Sequence, residues 1–348
     1  MQEAFFWKKK AFVSFILSLL VFLIHISTFS LYDYNGNWIS VFSGFVHNYF
    51  KFSITRQAVP LFFIISGVTF FRNYNNSLYL SKLKSRVRTL VVPFLIWNTI
   101  WMVFSMVTTT FLSGFFVGRP AFVFSVENIL CGIFLHEYNV PFWFILVLII
   151  LVILAPVMDF FSKNKWMTIA YSAVILGVFA LPITLPTLAF RLLEGSIFFV
   201  IGAFIGKHCF DAFTNKSSKN TQIISLIVFV LFSAYKYFSH TFAFAFIQSL
   251  ETIILLLGAL SFWNIIDAVA DKVKNRDLYK RSFAIYALHI NASAIITHLI
   301  YIVLPKNEYM AVPNFLLTMV LTVLSINIFC IVTEKLFPKI YGIVMGQR

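Results

Sequence analysis

Three kinds of side chain in this sequence have types and settings that could do chemistry. His25 stands inside a long apolar run that begins near Ala11, and Glu194 and Glu251 stand inside the runs RLLEGSIFF and QSLETIILL. Arg56, Arg72, Arg86 and Arg88 flank apolar runs at their ends. Polar and ionisable groups in such surroundings are costly, and they mark either a site or an interhelical contact. Histidine is the side chain best suited to take a proton from a hydroxyl near neutral pH. Its alternative here is a hydrogen bond to a neighbouring helix. Arg191 and Glu194 are spaced i,i+3 and have the alternative of pairing on one helix face. His289, in RSFAIYALH, reads equally as a packing histidine.

These residues must be carried by membrane helices. The chain has 348 residues, 60% hydrophobic, 19% aromatic and 11% charged, with a mean hydropathy of +0.89, far above what a soluble core requires. A bilayer core of roughly 30 Å asks for about 20 apolar residues per helix. Stretches near that length, some shorter, lie at about 11–32, 57–72, 89–112, 141–160, 166–182, 191–206, 221–238, 246–266, 282–304 and 312–334. The expected fold is all-α, a polytopic bundle of about ten transmembrane helices forming one domain over residues 1–348.

The charges test that count. With the N-terminus inside, only Lys51, Arg56, Arg119, Arg191, Lys236 and Lys306 of the 27 Lys and Arg fall outside, leaving 21 inside, as the positive-inside rule demands. Both termini are therefore expected in the cytoplasm. Counting from Ala11 at about 1.5 Å per residue, His25 lies roughly 21 Å from the inner end of its helix, in the outer half. The net charge of +14 follows from topology and asks for no nucleic acid. The inner basic loops remain available to a phosphorylated cofactor. Cys131, Cys209 and Cys330 form neither a CxxC pair nor an even framework, which argues against redox chemistry. No metal-ligand pattern is read. The first span, with its Lys8-Lys9-Lys10 start, long apolar run and internal histidine, is expected to be a membrane helix rather than a cleaved signal.

The stretch VPLFFIISGVTFFR, with Arg56 before it, reads Arg-x-x-x-Pro-x-Phe-Phe-x-x-Ser-Gly through Arg56, Pro60, Phe62, Phe63, Ser66 and Gly67. It resembles a signature of the acyltransferase-3 family of integral membrane O-acyltransferases, in the branch that includes surface-polysaccharide and enterobacterial common antigen O-acetyltransferases. KSRVRTLVVPFLIWN, FWFILVLIILVILAPV and RSFAIYALH are similar to further motifs of that family, and His25 sits at the depth of its first-span histidine. The resemblance runs from Trp7 almost to the last residue. It implies transfer of an acyl group, usually acetyl from cytoplasmic acetyl-CoA, to a hydroxyl of a glycan or lipid-linked sugar outside a bacterial cytoplasmic membrane. His25 would then be the general base and Arg56 a neighbour of the developing oxyanion. Arg72, Arg86 and Arg88 would meet the phosphates of CoA, and Ser66-Gly67 would let either the acyl-CoA arm or a neighbouring helix approach the backbone. Glu194 and Glu251 would touch the acceptor. His289 would have a place near the CoA arm as the alternative to packing, while Trp143 and Tyr286 are expected to be structural.

Two positions depart from the family pattern. Ser14 stands where an Arg or Lys is usual, with Lys10 as the residue that could reach inward, and Pro141 stands where a histidine would precede Trp-Phe. Two other classes stay open on the sequence: a non-catalytic transporter or flippase of lipid-linked glycans, and a partner-binding member of a polysaccharide assembly complex. A transporter would call for paired broken spans in two halves, and no such pairing is read.

Overall fold

The computed structural model describes residues 2–26, 28–32, 36–111, 122–242, 247–274 and 276–347. Arg119 and Arg348, which entered the charge count, lie outside them. Every regular element among the described residues is helical. In chain order the main helices are α1 (Gln2–His25), α2 (Trp38–Phe52) and α3 (Ala58–Phe71), then α4 (Asn76–Phe111) and α5 (Val126–Phe134). The bent pair α6 (Trp143–Ile153) and α7 (Ala155–Phe161) and the helix α8 (Lys165–Ala180) follow. After these come α9 (Thr187–His208), α10 (Lys219–Thr241) and α11 (Gln248–Ala270), and the hairpin of α12 (Ser282–Val303) and α13 (Ala311–Leu336).

Among the described residues seven helices are long and apolar enough to span a membrane, and the α6–α7 pair, bent by 72°, makes up to eight. The protein is a polytopic helical membrane protein. Two of the ten expected spans, α3 and α8, have only 14 and 16 residues, short of the ~20 a straight crossing needs. Their ends explain this. The turn over 53–57 delays the start of α3, and Asn73 in the left-handed region (φ 52°) ends it. Lys82 then donates to the exposed carbonyls of Phe70 (2.5 Å) and Arg72 (3.0 Å), satisfying a helix end that would otherwise lack partners. Pro182 disfavours helical geometry in the residue before it, and that residue, Leu181, is extended and caps α8 at Ala180.

Proline also shapes the longer helices. Pro93 has no N–H and crowds the carbonyl four residues back, and α4 absorbs the mismatch in a π turn over Val87–Val91. Pro156 sits in the first turn of α7, just past the bend. Two further helices, α2 and α5, lie outside the expected spans. Trp38, Val41 and Phe42 on α2, with Val126, Leu130 and Phe134 on α5, are exposed apolar side chains, as on helices that lie in a membrane interface.

The centre of the bundle is the close pair α3–α9. A Cβ at Gly206 would come within 2.6 Å of the Val68 carbonyl oxygen, and Cβ atoms at Gly67 and Gly202 would collide with the backbones of Phe199 and Ile64. Only glycine allows such an approach, and Gly202-x-x-x-Gly206 is the pattern membrane helices use for it. Around this pair the helices alternate in direction. Ion pairs gather at one end of the bundle: Glu3–Arg72 (2.7 Å), Lys9–Asp267 (2.6 Å), Asp159–Lys207 (2.6 Å), Lys216–Asp271 and Arg281–Glu334 (3.4 Å). The opposite helix ends carry His25, Arg56, Arg191 and Lys236. The two sets of cations are those the charge count assigned to opposite sides.

Candidate functional site

A cavity of about 650 Å³ opens where α1 ends and α3, α9 and α11 begin. His25, in the last turn of α1, forms part of its wall, with Arg56, Glu194 and Glu251 beside it. Four side chains drawn from four separate stretches thus share one chamber.

Arg56 is placed by the turn before α3. Ser53 donates its hydroxyl to the Ser233 carbonyl (2.5 Å) and its own carbonyl accepts the Arg56 N–H (3.1 Å), locking the turn against α10. The guanidinium then lies 5.3 Å from the centre of the Phe52 ring, which stacks in turn on His240, another wall residue. Glu194 accepts hydrogen bonds from Thr252 (3.2 Å) and Gln248 (3.4 Å), both on α11. The alternative pairing of Glu194 with Arg191 is not adopted: Arg191 lies over the Trp143 ring at 4.5 Å, a cation–π contact. Glu251 accepts from Lys236 (2.7 Å) and from the Tyr235 hydroxyl. Trp143 thereby becomes a support for a cavity cation.

Pro141, at the position where a histidine was expected, accepts the Tyr286 hydroxyl on its carbonyl. Tyr286 is buried, with its ring stacked 5.4 Å from that of Phe142, and it lines both this chamber and a second cavity of about 450 Å³ bounded by Asn139, Asn291 and His289. His289 is fully buried, and its ring centre is 5.3 Å from that of His25. It belongs with His25 at this end of the bundle, on the far side from the cations expected to meet CoA.

At the other end, a cavity of about 480 Å³ is lined by Arg72, Asn73, Tyr74 and Lys207 among others. The Arg72 guanidinium lies 4.3 Å from the Phe210 ring centre and pairs with Glu3 at 2.7 Å. Lys207 pairs with Asp159. Two cations in one hollow fit a phosphorylated ligand, each now held by a carboxylate that a phosphate would have to displace. Arg86 is elsewhere, over the Phe70 ring at 5.7 Å and beside an apolar groove between α4 and α6. Arg88 is exposed in the π turn. Of the three inner arginines assigned to phosphate, one lies at this hollow. Gly67 is filled by the backbone of α9 rather than facing open space, so its setting is helix packing, and Ser66 neighbours it in the same span. Lys9, not Lys10, is the basic residue that turns inward. It is buried against Asp267 and 3.9 Å from the Trp263 ring centre, while Lys10 lies over Trp7.

Sequence reasoning missed Lys236, His240 and Lys207 as cavity residues. Lys236 had a usable signal: α10 and α11 are consecutive, and folding them back as a hairpin brings Lys236 and Glu251 to similar depth. Among the described residues no three of His, Cys, Asp and Glu gather as a metal site.

A family model for the acyltransferase-3 type, described as an acyltransferase domain, matches residues 15–333. No curated protein and no solved structure matches the chain.

Proposed function

The chain belongs to the acyltransferase-3 family, and from that premise we propose that it transfers acetyl from acetyl-CoA to a hydroxyl of a glycan or lipid-linked sugar, on the outer face of a bacterial cytoplasmic membrane. Within the family we place it with the polysaccharide O-acetyltransferases. The observation that carries this reading is the pair of cavities at opposite ends of the bundle, one lined by His25, Arg56 and two carboxylates, the other by Arg72 and Lys207.

Donor phosphates would exchange for Glu3 on Arg72. That swap costs little, because Glu3 is 60% exposed and solvent screens the pair. Arg86 and Arg88 then serve as topological charges rather than ligands. At the other end, His25 takes the proton of the acceptor hydroxyl as its oxygen forms a bond to the thioester carbonyl carbon. The C–S bond breaks, and the thiolate leaves with the proton His25 took. Arg56 stands where it can face the oxygen that becomes negative. Its guanidinium rests beside an aromatic ring, and among the described residues no carboxylate pairs with it. Glu194 and Glu251 offer acceptor oxygens to sugar hydroxyls, with Lys236 and Gln248 as donors between them.

Mass spectrometry of surface glycan from cells with and without the gene tests the whole reading. An acetylated glycan that loses acetyl on deletion and regains it with the wild-type gene, but not with His25→Gln, is the expected result. Unchanged acetylation on deletion overturns it. Reporter fusions after Lys219 should read cytoplasmic, and an outside signal there would reverse the assignment of the two cavities.

A further inference from the structure

His25 has a second imidazole behind it that the acyl-transfer chemistry above does not use. His289 on α12 is fully buried, with its ring centre 5.3 Å from that of His25 and the planes inclined by 39°. Its Nδ1 lies 2.8 Å from the Tyr286 carbonyl oxygen and 3.2 Å from that of Ile285. Carbonyl oxygens only accept, so Nδ1 carries the hydrogen, and in the neutral ring Nε2 is left as a bare acceptor. That Nε2 is buried without a hydrogen-bond partner. Leaving a buried acceptor unsatisfied has a cost that native structures seldom tolerate without a use for it.

Among the aromatic rings around it the donors are already committed. The Tyr286 hydroxyl goes to the Pro141 carbonyl, and the Trp101 indole N–H goes to the Ala287 carbonyl at 3.0 Å. Phe22, whose ring centre is 5.8 Å away, has nothing to donate. His25 remains. Two imidazoles joined by one N–H···N bond of about 3 Å have centres roughly 5 Å apart, which is the separation seen. The His25 ring turns about its Cβ–Cγ bond through a broad torsion, the freedom such a contact requires.

We propose that His289 is the positioning residue for His25: its Nε2 accepts one N–H of His25, fixing the tautomer and plane of that ring and leaving the other nitrogen bare toward the 650 Å³ chamber. A lone histidine divides between two tautomers, only one of which presents its lone pair to an acceptor hydroxyl. A fixed partner on the far nitrogen removes the wrong one, as outer-shell acceptors do for metal-bound and catalytic histidines. When His25 takes the hydroxyl proton it becomes a cation whose second N–H is already bonded. The role rests on the reading of His25 as general base.

The test uses the full chain, labelled with ¹⁵N-histidine, in liposomes. Nitrogen spectra should show His289 protonated at Nδ1 and a through-hydrogen-bond coupling from a His25 nitrogen to His289 Nε2, lost in His289→Phe. A His289 protonated at Nε2, or wild-type protein without that coupling, overturns the proposal, and this holds even if the variants fail to fold. In acetyl transfer from acetyl-CoA to the surface glycan of membrane preparations, His289→Phe should lower turnover about 10–100-fold, the scale on which outer-shell partners act. The KM for acetyl-CoA should not change. His289→Gln, which keeps an acceptor oxygen, should recover most of the loss. Equal impairment of the Phe and Gln variants would mean a packing role and sink the idea. If wild-type membranes transfer no acetyl at all, the enzyme reading fails, while the nitrogen spectra still judge the pair.

Discussion

The two ends of this bundle treat charge in opposite ways. At the end that holds Arg72, cations are closed onto carboxylates across helices, with Lys9–Asp267 entirely buried at 2.6 Å and Lys207–Asp159 also at 2.6 Å. At the end that holds His25, Arg56 and Arg191 rest on the Phe52 and Trp143 rings, and Glu194 is held by the neutral donors Thr252 and Gln248. Lys236–Glu251 is the ion pair there among the described residues. An ion pair closed on itself fixes helix positions and gives its cation to a ligand only when the ligand displaces the carboxylate. Charges propped on rings and neutral groups keep their field for whatever enters the chamber. One end therefore secures the helices and the other keeps charge available, with Arg72–Glu3 and Lys207–Asp159, which border the hollow, as the exceptions on the closed side.

The change that should break this contrast most deeply is at His25. A positioned general base contributes about 10²–10⁴-fold to rate, so His25→Gln should nearly abolish acetyl transfer while protein level and thermal unfolding stay as in wild type. Near-normal transfer by a well-expressed His25→Gln protein would move the chemistry away from this chamber.

Next in size is a change at the closed end. Lys9→Met leaves Asp267 bare in the interior, and breaking a buried pair from one side costs about 3–5 kcal/mol. Thermal unfolding in detergent should show a large loss for this variant and a clear recovery when Asp267→Asn is added, since the amide still accepts the Ser217 N–H now bonded at 3.0 Å. If the single and double variants unfold alike, Lys9–Asp267 is not the clasp described here.

Much of this architecture was legible along the chain because lipid imposes a length and a sign on each segment. The apolar runs marked helical segments, of which seven, or eight with the bent α6–α7 pair, are long and apolar enough to cross among the described residues. Yet they overstated α3, which a left-handed Asn73 and the Lys82 cap cut to 14 residues. The helices α2 and α5 were passed over, since an interfacial helix alternates apolar and polar faces and has no continuous apolar run to betray it. In the candidate site, His25, Arg56, Glu194 and Glu251 were read as separate polar anomalies, and they share one cavity because the ends of α1, α3, α9 and α11 meet there. Partner choice was not legible. Arg191 pairs with a ring on α6 and Glu194 with side chains on α11, contacts set by packing between helices distant in sequence, whereas the i,i+3 spacing suggested a local pair. Gly67 could have been assigned to packing from Gly202-x-x-x-Gly206 alone, had the two stretches been read together.

A smaller effect is expected at Arg72, where a charged hydrogen bond to phosphate is worth about 1.5–3 kcal/mol. Arg72→Ala should weaken binding of CoA to the purified protein about tenfold or more without unfolding it, as measured by calorimetry. Equal affinity of mutant and wild type would remove Arg72 from the donor site.

The smallest change is also the one that separates the two uses of charge most finely. Glu3 sits on the surface turn of α1, and its pair with Arg72 has side chains 60% and 24% exposed, so the pair adds little to stability and weakens with salt. If Arg72 belongs to the closed set, Glu3→Gln loosens a helix clasp, and both stability and CoA affinity fall slightly. If Arg72 is held in reserve for phosphate, Glu3 is a competitor for the same guanidinium. Its neutralisation then leaves unfolding unchanged and tightens CoA binding by a few-fold. That gain should shrink as salt rises, because screening already weakens the competing pair in the wild type. Calorimetric titration of CoA into wild-type and Glu3→Gln protein at low and high salt decides between them. Weaker binding by the Gln variant at both salts would place Arg72 with Lys9, among the cations that hold the bundle shut.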